Sequence, residues 1–191
     1  MPLTPVHGLA VLFLYFKNKR GVDPLALVAS ATIVDLEPLY YILSGEFLNH
    51  HMMWHGYALT LTIYPILITL TVYVVERLFE KQLWSTYTAL GFKPEKVRYS
   101  LLSVYLCCLI GGLSHIFFDM FTHKNMPYVV YPLFFGNPFY LGQASGIVEI
   151  SVIALALYSV YCWYKNTKLT HKPKLVQQAA KTQNTAKPLP M

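Results

Sequence analysis

Residues 56–75 contain no charged side chain, and residues 99–118 contain a single group that can charge near neutral pH, His115. As a helix, each run covers about 30 Å, the thickness of a bilayer's hydrocarbon core. In lipid a helix is also what such a run must form, because every backbone N–H and C=O has to be bonded within the segment. Residues 22–43 and 144–164 add two more apolar stretches. A soluble domain of 191 residues has room to bury one such helix, not four. Only 13% of the chain is charged, about half the fraction usual in soluble domains. The expected fold is therefore all-α: a polytopic membrane helix bundle of about four transmembrane helices plus a short N-terminal helix. That first helix, residues 5–16, is only about 18 Å long.

The intervening segments divide the chain further. Lys17-Asn18-Lys19-Arg20-Gly21 reads as a turn, and residues 44–54 as a loop holding His50 and His51. Pro65 predicts a kink in the second long span. Residues 78–90 form an amphipathic stretch suited to the membrane surface. The third long span is expected over residues 97–120, and 121–143, rich in Pro, Tyr and Phe, reads as an interfacial loop. Residues 1–164 make the membrane-embedded bundle; 165–191 are basic, lack apolar periodicity and read as a disordered cytoplasmic tail. The N-terminus has no basic start or small-residue cleavage site of a signal peptide. Cys107, Cys108 and Cys162 all fall in expected spans and imply no disulfide framework.

The charge distribution sets orientation and excludes a function. Of the 15 Lys and Arg residues, all but Lys124 lie in the 17–20 turn, the 76–98 connection or the tail. The positive-inside rule makes that side cytoplasmic. The net charge of +6 is thus a topology signal and a contact for membrane lipids. Nucleic-acid binding is a poor reading, because the aromatics sit inside apolar runs rather than among arginines on a polar face.

The same topology gathers the polar residues. His50, His51 and His55 lie at the outer start of the second long span, and His115, Asp119 and His123 at the outer end of the third. Glu149 sits just inside the fourth. His7 and Asp35 climb roughly 15–22 Å above the inner boundary at the rise of a helix. Six of the seven histidines thus share one end of the bundle, with His171 alone in the tail. Ionisable groups at membrane depth are costly and normally face a partner, a cavity or a substrate path.

His115 and Asp119, four apart, share a helix face and can bind one cation or two adjacent ones; His123 continues that face. Alone, such a pair is as well explained by a hydrogen bond stapling the helix, but further ligand-type residues at the same depth favour a metal. Asp35 and Glu37 in an apolar helix would repel and protonate unless a divalent cation held them ionised. Glu37, next to Pro38 and Tyr40-Tyr41, also fits a helix end emerging into water. His55, one residue before an apolar run, is a stronger ligand candidate than His50 or His51. His7 and Glu149, single polar residues in apolar helices, fit a ligand or a packing hydrogen bond equally. Lys124 and Tyr128 either contact an anionic substrate or anchor the interface.

These spacings resemble the YdjM-type family of membrane-bound metal-dependent hydrolases. Its hallmarks are an N-terminal His, a Pro-Asp-x-Asp motif, a His-Arg-Gly-x-Thr-His-Ser motif, and a Ser-His-x-x-x-Asp-x-x-Thr segment before a Pro-rich stretch. The counterparts here are Val6-His7-Gly8, Val34-Asp35-Leu36-Glu37, His50 with His55, and Ser114-His115 through Asp119 to Thr122, with Pro127 and Pro132 following. A late Gly146-Ile147-Val148-Glu149 also matches. The chain departs in having Val34 for the proline, Glu37 for the second aspartate, and His51, Met52, Met53 and Trp54 between the paired histidines. The family is in turn similar to zinc-dependent phospholipases C and P1-type nucleases. The resemblance implies His7, Asp35, His55, His115, Asp119 and Glu149 as ligands of a metal cluster.

With His50 and His123 added from their positions, the expected metal ligands are His7, Asp35, His50, His55, His115, Asp119, His123 and Glu149, and the cation is zinc or, second, manganese. Asp35 or Glu37 would act as general base. The expected function is metal-dependent hydrolysis of a phosphoester or lipid-like substrate at the outer face. The alternative is a non-catalytic metal-binding or transport protein, against which the apolar inner halves of the long spans argue. A purely structural polar cluster leaves the convergence at one depth unexplained.

Overall fold

Two prolines decide where the long apolar runs break. The computed structural model describes residues 4–45, 52–92 and 94–168. A short helix, α1 (Thr4–Lys17), is followed by a turn in which the Gly21 N–H donates to Asn18 Oδ1. Next comes α2 (Pro24–Ile33), with Pro24 in its first turn, where no N–H is needed, and Asp23 Oδ1 accepting from the Leu25 N–H. The helix expected over 22–43 is interrupted at Val34–Asp35 and resumes as α3 (Leu36–Leu43). Pro38 causes the break: its ring would clash with the carbonyl four residues back, that of Val34. That carbonyl turns to accept from the Glu37 N–H instead.

The same device recurs in residues 56–75. A 3-10 turn at Met53–His55 leads into α4 (Tyr57–Leu61), and after Thr62 the chain restarts as α5 (Ile63–Leu78). Pro65 lies four residues past Leu61, so the expected kink is a full interruption. The amphipathic segment forms α6 (Glu80–Ala89). The third run forms one continuous helix, α7 (Leu101–Thr122), with Ser100 Oγ accepting from the Ser103 N–H at its start. The last, α8 (Ser145–Lys168), runs four residues past its expected end. No strand occurs among the described residues, and the chain between α7 and α8 is irregular apart from a 3-10 turn at Gly142–Ala144.

Three segments are long and apolar enough to cross a membrane: Pro24–Leu43, Leu101–Thr122 and Gly142–Lys168. Their outward faces agree with that reading. Leu102, Leu106 and Ile110 on α7, and Ile147, Ile150 and Leu157 on α8, are exposed. In water such a surface would aggregate, whereas lipid chains solvate it.

At the centre, α2 packs on α7, with α1 and α5 against this pair and α8 covering α1. Leu27 and Ala31 of α2, with Val34 just past it, meet Val104, Cys108 and Ile116 of α7, joined by Tyr64, Ile68 and Val72 of α5. Within a bilayer, burial from water does not drive helices together; close packing and interhelical hydrogen bonds do. Small residues supply the close approach: a Cβ on Gly111 would collide with the Ser30 hydroxyl and the Leu27 carbonyl. Gly111→Ala is therefore expected to push α2 and α7 apart and cost about 1–3 kcal/mol, read as a lowered thermal midpoint in detergent. Gly146→Ala, where an added Cβ meets nothing, serves as the control and should not lower it.

Candidate metal centre

The α2–α7 contact brings the polar residues to one end of the bundle. His115 and Asp119 lie one turn apart on α7 with both side chains enclosed, and Asp35, at the Pro38-induced break, faces them. His55 ends the 3-10 turn, fixed by the Tyr57 N–H, which donates to the Val129 carbonyl at 3.0 Å. One nitrogen from each of His55 and His115 and one oxygen from each of Asp35 and Asp119 all fall within 4.8 Å of one another. His115 Nε2 is 3.0 Å from Asp119 Oδ2 and 3.4 Å from Asp35 Oδ1. His55 Nε2 is 3.6 Å from Asp35 Oδ1 and 3.9 Å from Asp119 Oδ2.

The other ring nitrogen of each histidine identifies what these atoms are for. His115 Nδ1 lies 2.8 Å from the Ala31 carbonyl, an obligate acceptor, so Nδ1 carries the hydrogen. His55 Nδ1 lies 2.9 Å from Glu37 Oε2, which fixes it the same way. The Nε2 lone pairs of both rings therefore point at two carboxylates. Lone pair facing carboxylate is repulsive unless a cation, either a second proton or a metal, sits between them. His115 Nε2, fully enclosed, makes no geometrically acceptable hydrogen bond despite its close neighbours. Two imidazole nitrogens with two carboxylate oxygens form a donor set that could hold a metal ion. The residues present fit a divalent metal.

Glu37 has a different position from the four. Its oxygens accept from the His55 ring and from the Met52 and Trp54 N–H groups, at 2.9, 3.0 and 3.1 Å. It holds the turn that carries His55 rather than facing the centre, the place a carboxylate would take behind a histidine that binds a metal.

The family model for a domain of unknown function, DUF4184, matches residues 1–187. The chain belongs to the DUF4184 family. No curated protein and no solved structure matches it.

In this DUF4184 bundle the remaining expected ligands separate into three groups. His7 and His123 border the centre: His7 Nε2 is 3.4 Å from Asp119 Oδ1, with its ring 4.4 Å from that of His115, and His123 Nε2 is 3.9 Å from Asp119 Oδ2. Glu149 is half-buried on α8 and is not one of the converging groups. His50 and His51 lie outside the described residues. Sequence reasoning had no signal for the Ala31 carbonyl, a backbone atom delivered by helix packing. For Glu37 the signal was present, a carboxylate two residues from Asp35, but periodicity could not show which way it turns.

Removing the support behind His55 should weaken the centre without removing a ligand. Glu37→Gln is expected to lower zinc affinity about 10–100-fold, measured by competition with a chromogenic chelator in detergent. Unchanged affinity would mean that the Glu37–His55 contact does not orient a ligand.

Proposed function

We propose that this protein is a membrane-bound metal-dependent hydrolase, with zinc or manganese held by Asp35, His55, His115 and Asp119, and His7 and His123 beside them. The observation that carries the reading is the convergence of two imidazole lone pairs and two carboxylates whose outer nitrogens are already committed to acceptors. Held by these residues, a divalent ion would supply a water of lowered pKa and would polarise a phosphoryl or acyl group. Among the four donors, Asp35 is the most accessible, its side chain 12% exposed against 0–3% for the others. It is placed to take the proton of an attacking water, while Glu37 keeps His55 in register. The resemblance to YdjM-type hydrolases in Ser114-His115 through Thr122 supports the same chemistry.

The substrate class is a phosphoester or lipid-like amphiphile. An apolar groove lined by Ile33, Leu36, Trp54, Leu59, Ile63 and Leu67 adjoins a hollow at Glu37, Tyr40 and Tyr41, and the two share Leu36 and Trp54. A chain lying in the groove would bring a polar head to the Asp35–Glu37 end. The orientation proposed is the cluster towards the outer face and the tail in the cytoplasm, with α4 and α5 together as a fourth crossing.

A second reading is non-catalytic metal binding. Full enclosure of His55, His115 and Asp119 favours it, since a structural site needs no open position. Hydrolysis separates the two. Zinc- or manganese-loaded protein is expected to cleave a soluble phosphodiester or phospholipid vesicles, and Asp35→Asn to reduce turnover by at least about 100-fold. Bound metal without turnover on either class of substrate would favour the second reading.

A further inference from the structure

A second buried polar cluster lies at the opposite end of the bundle. Asp23 begins α2, twelve residues and so about 18 Å of helix from Asp35. Glu76 lies near the end of α5, one residue past the charge-free run over 56–75. Both are enclosed, Asp23 at 0% and Glu76 at 1% exposure. Each has one oxygen in a helix-end role: Asp23 Oδ1 accepts from the Leu25 N–H at 2.9 Å, and Glu76 Oε2 from the Tyr99 N–H at 3.1 Å. The other two oxygens, Asp23 Oδ2 and Glu76 Oε1, are buried and have no hydrogen-bond partner, although the two carboxyls are close enough to hydrogen-bond each other. Each carboxyl thus keeps one buried acceptor for which no donor is present.

We propose that Asp23 and Glu76 form a proton-binding site, one proton held between the two carboxyls so that the pair carries a single negative charge. Two enclosed carboxylates in contact cannot both stay ionised, because their repulsion adds to the cost of burial. One proton supplies the missing donor, satisfies both orphaned oxygens and removes half of the charge. The surroundings suit a single residual charge. From α1 the Tyr15 hydroxyl, fully enclosed and without a partner, lies within range of the Asp23 charge. Tyr87 of α6 and Tyr99 before α7 also feel both carboxyls. Cys107 of α7 accepts from the Asp23 N–H at 3.2 Å. Lys96 acts on Asp23 and Arg77 on Glu76 from a distance; Lys96 stacks over the Tyr99 ring, and Arg77 sits over the Tyr73 ring. Neither cation is in contact with the pair, so a second negative charge would go uncompensated.

The proton joins three elements: the start of α2, the end of α5 and the segment entering α7. Its loss would leave like charges across that joint. The folded pair keeps a proton that the unfolded chain releases at neutral pH, so the pair's contribution to stability is complete at low pH. It is lost as pH rises through the folded pair's titration.

Infrared difference spectroscopy on the metal-loaded full chain tests this. At neutral pH the wild type should show the C=O stretch of one protonated carboxylic acid, shifted in deuterium oxide and absent in both Glu76→Gln and Asp23→Asn. The thermal midpoint of the wild type should fall at alkaline pH, and that of Glu76→Gln, whose amide donates to Asp23 permanently, should fall less. If either variant fails to fold, the wild-type band and its loss on alkaline titration still decide. Absence of a protonated-acid band at neutral pH would overturn the proposal. So would a midpoint that rises with sodium but not with choline at equal ionic strength, which would assign the site to a metal cation.

Discussion

Asp119 is enclosed by the bundle, and nitrogens of His7, His55, His115 and His123 lie 3.0–3.9 Å from its two oxygens. A carboxylate removed from water costs several kcal/mol unless positive charge and hydrogen bonds replace its hydration. Four separate segments, from α1, the 3-10 turn, α7 itself and the residue just past α7, converge to do so. The α2–α7 packing at Gly111 is what allows it, since the Ala31 carbonyl must come within reach of His115 to fix that ring's tautomer. A cation at the Nε2 atoms would complete the balance, and the residues around them hold these atoms in place.

The proline-induced breaks serve the same requirement. An unbroken helix over 22–43 would present Asp35 and Glu37 some 200° apart around its axis, at about 100° per residue. The interruption at Val34–Asp35 frees both to face the same histidine from different sides: Asp35 towards Nε2, Glu37 towards Nδ1 of His55. The groove and the hollow at Glu37 likewise meet at Leu36 and Trp54, neighbours of Asp35 and His55 in the chain.

Much of this was legible in the sequence. The apolar runs over 56–75 and 99–118 predict helices because lipid leaves the backbone no other way to bond, and the second forms α7 while the first divides at Thr62 into α4 and α5. The His115/Asp119 spacing predicts a shared helix face, which α7 provides. Periodicity alone places residues on a face only while the helix continues, so the separate roles of Asp35 and Glu37 were not readable across a break. Glu76 was not legible for a related reason: it stands next to Arg77 and near Lys81 in a locally charged stretch, yet α5 turns it inwards against Asp23 and Tyr99. That pairing joins segments more than fifty residues apart, and no local pattern announces it.

The central claim is that Asp35, His55, His115 and Asp119 hold a divalent metal. X-ray absorption at the metal edge, with metal content measured on the same detergent-purified protein, tests it most directly. The account predicts stoichiometric zinc or manganese with nitrogen and oxygen neighbours, imidazole scattering and no sulfur. Both metal and signal should be lost in a folded His115→Ala variant. No retained metal after loading with zinc and manganese, or a sulfur-ligated ion, would contradict it.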